Sequence, residues 1–168
     1  MMSPIQVAGR SRWFKIASLA LFAPALFFVG GSAASDKHPA VPGPVHFYAN
    51  LSAEEETTAA ESQAQGRADF SLDRKTLQLS WNVKFTGLSD VTGATVNGPE
   101  RVGVNGSILY TLASKDAKSP IQGSKVMSEG ELQYLMERHL YVNITTAKYP
   151  AGEIRGQINR CPSERCDR

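Results

Sequence analysis

The stretch Leu77-Gln-Leu-Ser-Trp-Asn-Val-Lys-Phe85 limits what this chain can fold into more than any other. Leu77, Leu79, Trp81, Val83 and Phe85 alternate with Gln78, Ser80, Asn82 and Lys84. Only an extended strand turns a period of two into one apolar and one polar face; a helix would scatter the same side chains around its circumference. Burial at ~1.5–3 kcal/mol per side chain, an upper estimate, puts this strand at the centre of a core.

Shorter alternations surround it. Val45, Phe47, Ala49 and Leu51 predict one strand, and Ala68, Phe70 and Leu72 another, joined to the long strand through Asp73-Arg74-Lys75. Val91 to Asn97 follows the turn Gly87-Leu-Ser-Asp90, and Ser107 to Ala113 comes next. Leu140, Val142 and Ile144 give a sixth strand; Ile154, Gly156 and Ile158 give the last. About seven strands separated by Gly, Pro, Asn and Asp clusters predict an all-β fold, an antiparallel β-sandwich. One short helix is expected before the penultimate strand: Ser128 can cap it, Glu131 stands three residues on, and Leu132, Leu135 and Met136 share a face. A glycine at the inward position 156 points to close approach of another backbone or to a bulge. Ala53 to Gly66 holds four acids and no base, and lacks the alternate oxygen ligands and sharp glycine turn of a calcium loop. It is expected to be a solvated surface loop.

The ends of the chain carry different information. Arg10, Arg12 and Lys15 precede the apolar run Ile16 to Val29, followed by Gly30-Gly-Ser-Ala-Ala34. This three-part layout predicts a secretory signal over 1–34, cut after Ala34. The run falls short of the ~20 residues of a membrane-spanning helix and contains Pro24, so an uncleaved or lipid-attached anchor is the weaker alternative. Residues 35–44 carry three prolines and read as an extended lead-in, 45–159 as the folded domain, and 160–168 as a tail. Of the chain's 18 basic residues the leader takes three, which leaves 15 against 16 acids, a net of −1. Near-neutrality favours neither nucleic acid nor a polybasic membrane patch. Export to an oxidising compartment, secreted or periplasmic, predicts a Cys161–Cys166 disulfide, with intermolecular bridges as the alternative.

Residues late in the chain suggest a family. Leu140-Tyr-Val-Asn-Ile-Thr-Thr-Ala-Lys-Tyr-Pro-Ala-Gly-Glu-Ile-Arg-Gly-Gln-Ile158 resembles the C-terminal signature of the chordin-type (CHRD) domain. Phe47-Tyr-Ala-Asn-Leu-Ser52 looks like that family's opening strand. Gly66 to Asp73, Leu77 to Val83 and Thr86-Gly-Leu88 look like its central hairpin, and Met127-Ser-Glu-Gly-Glu-Leu132 resembles its short helix. The resemblance spans about residues 45–158 and implies an extracellular or exported protein of largely undefined biochemistry. Family members commonly carry Ala-His-Ile-His-Gly-Pro where this chain has Ala94-Thr95-Val96-Asn97-Gly98-Pro99, and a further His where it has Thr145. A His-x-His pair on one strand face with a third imidazole nearby would suit zinc or copper. Thr95, Asn97 and Thr145 are weak ligands for either, and His38, His46 and His139 are not paired at ligand spacing. No metal and no cofactor is therefore expected.

By alternation, Tyr141, Asn143 and Thr145 face away from Leu140, Val142 and Ile144, and Glu153 and Arg155 face away from Ile154 and Ile158. These five are the candidate binding residues, either as a ligand patch or as a hydrogen-bond and ion-pair set that holds strand register. The chain offers no plausible Ser-His-Asp order, no histidine cluster and no free thiol once the bridge forms, so a non-enzyme is expected. The functional expectation is a binding module for another envelope or extracellular protein. A structural envelope or matrix component is the alternative, and a metal-binding or redox role like that of His-containing relatives the remoter one.

Overall fold

The computed structural model describes residues 43–58, 60–162 and 166. The leader, His38 and all of the lead-in except Gly43 and Pro44 lie outside the described residues. Nine strands and one helix follow in the order β1 (Val45–Ser52), β2 (Gln65–Leu72), β3 (Gln78–Thr86), β4 (Val91–Asn97), β5 (Ile108–Ala113), β6 (Ile121–Val126), α1 (Glu129–Met136), β7 (Tyr141–Thr146), β8 (Ile154–Gln157) and β9 (Asn159–Arg160). A 3-10 turn, Ala53–Glu55, follows β1. Every strand pairing is antiparallel, and the lateral order is β5-β4-β7-β8-β1-β2-β3-β6, with β9 also on β1.

The expected all-β antiparallel architecture is present. A single sheet folds back over one apolar cluster fed by Phe47, Leu51, Leu72, Leu79, Val96, Val142, Ile144 and Ile158. Its two halves face each other as layers, and its two ends almost meet. Trp81 on β3 lies 6.1 Å, centroid to centroid, from Tyr110 on β5, and the Lys125 ammonium on β6 sits 4.4 Å above the Tyr110 ring. β5 and β6 each have one hydrogen-bonded neighbour, so each keeps an open edge.

The central strand departs from expectation at its start. Leu79, Trp81 and Val83 are buried and Phe85 is half-buried, but Leu77 lies outside β3 in a left-handed conformation (φ 56°). The hairpin turn takes it: the Asp73 carboxylate accepts the Lys75 N–H at 2.7 Å and the Thr76 N–H at 3.2 Å, and Leu77 closes the curve. β6 and β9 add to the seven expected strands. β6 escapes a pattern search because its inward position 123 is glycine. A Cβ there would stand 2.6 Å from Trp81 Cζ2, so the core volume on β6 is supplied by the neighbouring strand's indole.

The helix is capped as expected, with the Glu131 N–H donating to Ser128 Oγ and the Ser128 N–H to the Glu131 carboxylate. Leu135 is its buried side chain, while Met136 is exposed because only one side of this eight-residue helix touches the core. Three strands follow it, β9 being the addition. Cys161 and Cys166 form an intrachain disulfide with Cα atoms 5.1 Å apart. Its loop is tied back to the sheet by the Cys161 N–H on His46 O and by Arg67 on Cys166 O.

Candidate functional site

Cα partners on neighbouring strands share a sheet face, so the register decides which polar side chains meet. Asn143 on β7 stands opposite Thr95 on β4 and Arg155 on β8; Tyr141 stands opposite Asn97 and Gln157; Thr145 stands opposite Gly93. The alternation assigns these residues correctly to the side away from the apolar cluster. That side is not open to water, however. The loop 98–107 crosses it, and the segment after β1 closes over its other end.

Arg155 anchors the loop. Only 2% exposed, it donates from Nη1 to Asn105 Oδ1 at 2.7 Å and from Nη2 to Val104 O at 2.8 Å, and its guanidinium lies 3.5 Å from the centroid of the Tyr141 ring. Among the described residues no carboxylate comes within ion-pair distance of it. Its charge is held instead by two neutral oxygens and an aromatic face, a set that suits a planar, weakly hydrated cation and not an ammonium. Tyr141 Oη accepts the Gly106 N–H at 3.0 Å and donates to Gly106 O at 3.3 Å, and Asn97 Nδ2 donates to the same carbonyl. Thus three side chains from three adjacent strands fix the main chain of residues 104–106.

Residues 95, 97 and 145 lie on this face in two separate hydrogen-bonded groups, both resting on β4. Thr95 Oγ1 donates to Asn97 Oδ1 at 2.6 Å. Thr145 Oγ1 accepts from Thr92 Oγ1 and donates to Gly93 O. Among the described residues no group of three His, Cys, Asp or Glu side chains is placed to hold a metal ion.

Glu153 is also buried, and it does not pair with Arg155. Its carboxylate accepts Ser62 Oγ at 2.7 Å and Thr146 Oγ1 at 2.6 Å, while Tyr149 Oη donates to Glu61 O. The acidic stretch 53–66 is therefore not simply a solvated loop. Glu54, Glu55 and Glu61 are exposed, but Glu56 turns inward and Ala64 is buried. Glu56 Oε1 and Asn143 Oδ1 are both buried without a hydrogen-bond partner, and both lie against Gly152. A Cβ at Gly152 would overlap the Glu56 oxygen and stand 2.6 Å from the Asn143 oxygen. Burial lifts the Glu56 carboxyl above its ordinary range, against the opposing pull of the Arg155 guanidinium and the Thr57 N–H.

Of the five candidate residues, Tyr141 and Arg155 converge on the loop, Asn143 turns its oxygen toward Glu56, Thr145 bonds β4, and Glu153 secures the segment before β2. Glu56, Asn97 and Asn105 join them. Nothing local in an acidic run marks Glu56 as the buried member; the glycine at 152 is the one sequence trace of its partner. The surface clefts of about 490 and 470 Å³ are lined by neither histidine nor cysteine. They lie beside the β2–β3 turn and beside Asp90 and Asp116.

A family model described as CHRD domain matches residues 47–158. Neither a curated protein nor a solved structure matches the chain.

Proposed function

The chain belongs to the CHRD domain family, and on that premise we propose that it is an exported, non-catalytic module that binds another envelope or extracellular protein. The observation that carries this reading is the clamped loop. Arg155, Tyr141 and Asn97 fix residues 104–106 by main-chain and amide contacts, and the loop turns Val102 (58% exposed) and Val104 (45%) outward, with Ile108 (64%) at its foot. Aliphatic side chains held outward on a rigid loop favour association, because little ordering entropy remains to be lost on contact. Export is supported by the sequence pattern of residues 1–34 and by the disulfide, which suits an oxidising compartment. Among the described residues no helix is long and apolar enough to cross a membrane.

Tyr141 and Arg155, with Asn97, then act as the scaffold that presents the loop, while Asn143, Thr145 and Glu153 hold the strands and the segment before β2 around it. Crosslinking of the processed chain in envelope and culture-fluid fractions, followed by mass spectrometry, tests this. Val102→Asp with Val104→Asp should reduce recovery of the specific partner about tenfold or more, since one buried valine is worth ~1.5–3 kcal/mol. Undiminished capture by that folded variant would remove the loop from the interface.

A further inference from the structure

We propose that Glu56 and Asn143 form a proton-bridged latch, in which a neutral Glu56 carboxyl donates to the Asn143 amide oxygen and fastens the segment after β1 to the β7–β8 hairpin. The geometry requires a donor. Asn143, 9% exposed, spends its Nδ2 on Ala151 O at 2.9 Å, which leaves Oδ1 as the free end. Turning the amide over would set Oδ1 against the Ala151 carbonyl, so a flip does not relieve the site. An ionised Glu56 offers only a second acceptor, and two buried acceptors packed on the same glycine without a hydrogen between them leave both unsatisfied. One proton on Glu56 satisfies both.

The glycine at 152 supports the same arrangement. Its φ of 149° and missing Cβ let the carboxyl and the amide rest directly on its backbone. The charged group facing Glu56 from β8 is Arg155, which makes a bridging metal cation unfavourable. Glu153, in the same hairpin, is taken up by Ser62 and Thr146. Burial outweighs Arg155 and the Thr57 N–H in setting the direction of the Glu56 shift.

The sign of the linkage follows. A carboxyl whose folded pKa is raised contributes stability that is fully present below its unfolded value of 4.5 and is lost as pH rises through the folded value. The latch is closed in acid and weakened above that range. It bears on the cover of the polar face and not on the identity of any partner, so stability reads it without a binding assay.

The experiment compares thermal unfolding of the processed, disulfide-intact chain with that of Glu56→Gln and Asn143→Asp from about pH 4.5 to about pH 8. The amide introduced by Glu56→Gln can donate to Asn143 Oδ1 at every pH. The midpoint of that variant should therefore match the parent in acid and exceed it by several degrees at the alkaline end. Asn143→Asp should lose more stability than the parent as pH rises. A Glu56→Gln midpoint below the parent at about pH 8, or failure of that variant to fold, would overturn the latch. A rise in the parent midpoint on adding sodium or calcium, absent in Glu56→Gln, would overturn the latch in the same way.

Discussion

Gly156→Ala is the sharpest test of how the sheet is assembled. Gly156 lies on β8, opposite Val142 on β7, at the point where the hairpin strand passes from β7 to β1. A Cβ there would overlap the carbonyl oxygen of Asn50 and stand 2.8 Å from its carbonyl carbon and from Leu51 Cδ2. Leucine could swing away, but the carbonyl belongs to β1, which pairs with β2 along its whole length. The strands themselves must separate. Overpacking of this kind costs about 1–3 kcal/mol, and a backbone obstacle places Gly156→Ala at the upper end. The midpoint of thermal unfolding should fall by about 10 °C. Gly130→Ala is the matched control: nothing lies within 4 Å of a Cβ at this exposed position in the first turn of α1. The same added methyl should there stabilise by about 0.5–1 kcal/mol, because alanine loses less backbone freedom in a helix. Urea unfolding monitored through Trp81 measures both. A Gly156→Ala variant within ~0.5 kcal/mol of the parent would refute the close approach of β8 and β1.

Two further outcomes concern the loop and the helix. Tyr141→Phe removes both hydrogen bonds to Gly106 while leaving the ring under Arg155, so cleavage by trypsin after the exposed Arg101 should accelerate about tenfold with a small change in global stability; an unchanged rate would deny Tyr141 a clamping role. At Glu131 burial pushes the carboxyl up, but the Lys125 ammonium and the Ser128 N–H and hydroxyl outweigh it and hold the group below its ordinary value. Its contribution is present above the unfolded value of 4.5 and is lost as pH falls through the folded one, so Glu131→Gln should flatten the acid limb of the stability profile. An acid limb identical to the parent's would place that loss elsewhere.

Alternation carried most of the architecture because it records which side of a strand meets the core. It named the buried residues of β1, β2, β3, β7 and β8 and put Tyr141, Asn143, Thr145 and Arg155 on the opposite face. It could not say whether that second face is covered. Coverage depends on where loop 98–107 and the segment after β1 come to rest, and those paths are set by partners distant in sequence: Arg155 for Val104 and Asn105, Glu153 for Ser62. Glu56 was hidden for the same reason, being one of four acids until Asn143 and Gly152 distinguish it. β6 was hidden by substitution across the core, since Trp81 fills the volume that an apolar residue at 123 would otherwise supply. Leu77 erred the other way: its place in the rhythm was right, but the Asp73 turn claimed its backbone.

The near-closure of the sheet leaves β5 and β6 as two rims whose outward amides and carbonyls are served by solvent instead of by a further strand. Side chains alone bridge the gap, through Tyr110 and Lys125. Hydrogen exchange of the backbone amides should therefore be fastest along this seam and slowest on β1, which is bonded on both flanks. The polar and small residues Gln122, Gly123 and Ser124 make the middle of the β6 rim a poor template for a neighbouring strand, whereas the β5 rim, Ile108–Ala113, is the more apolar of the two.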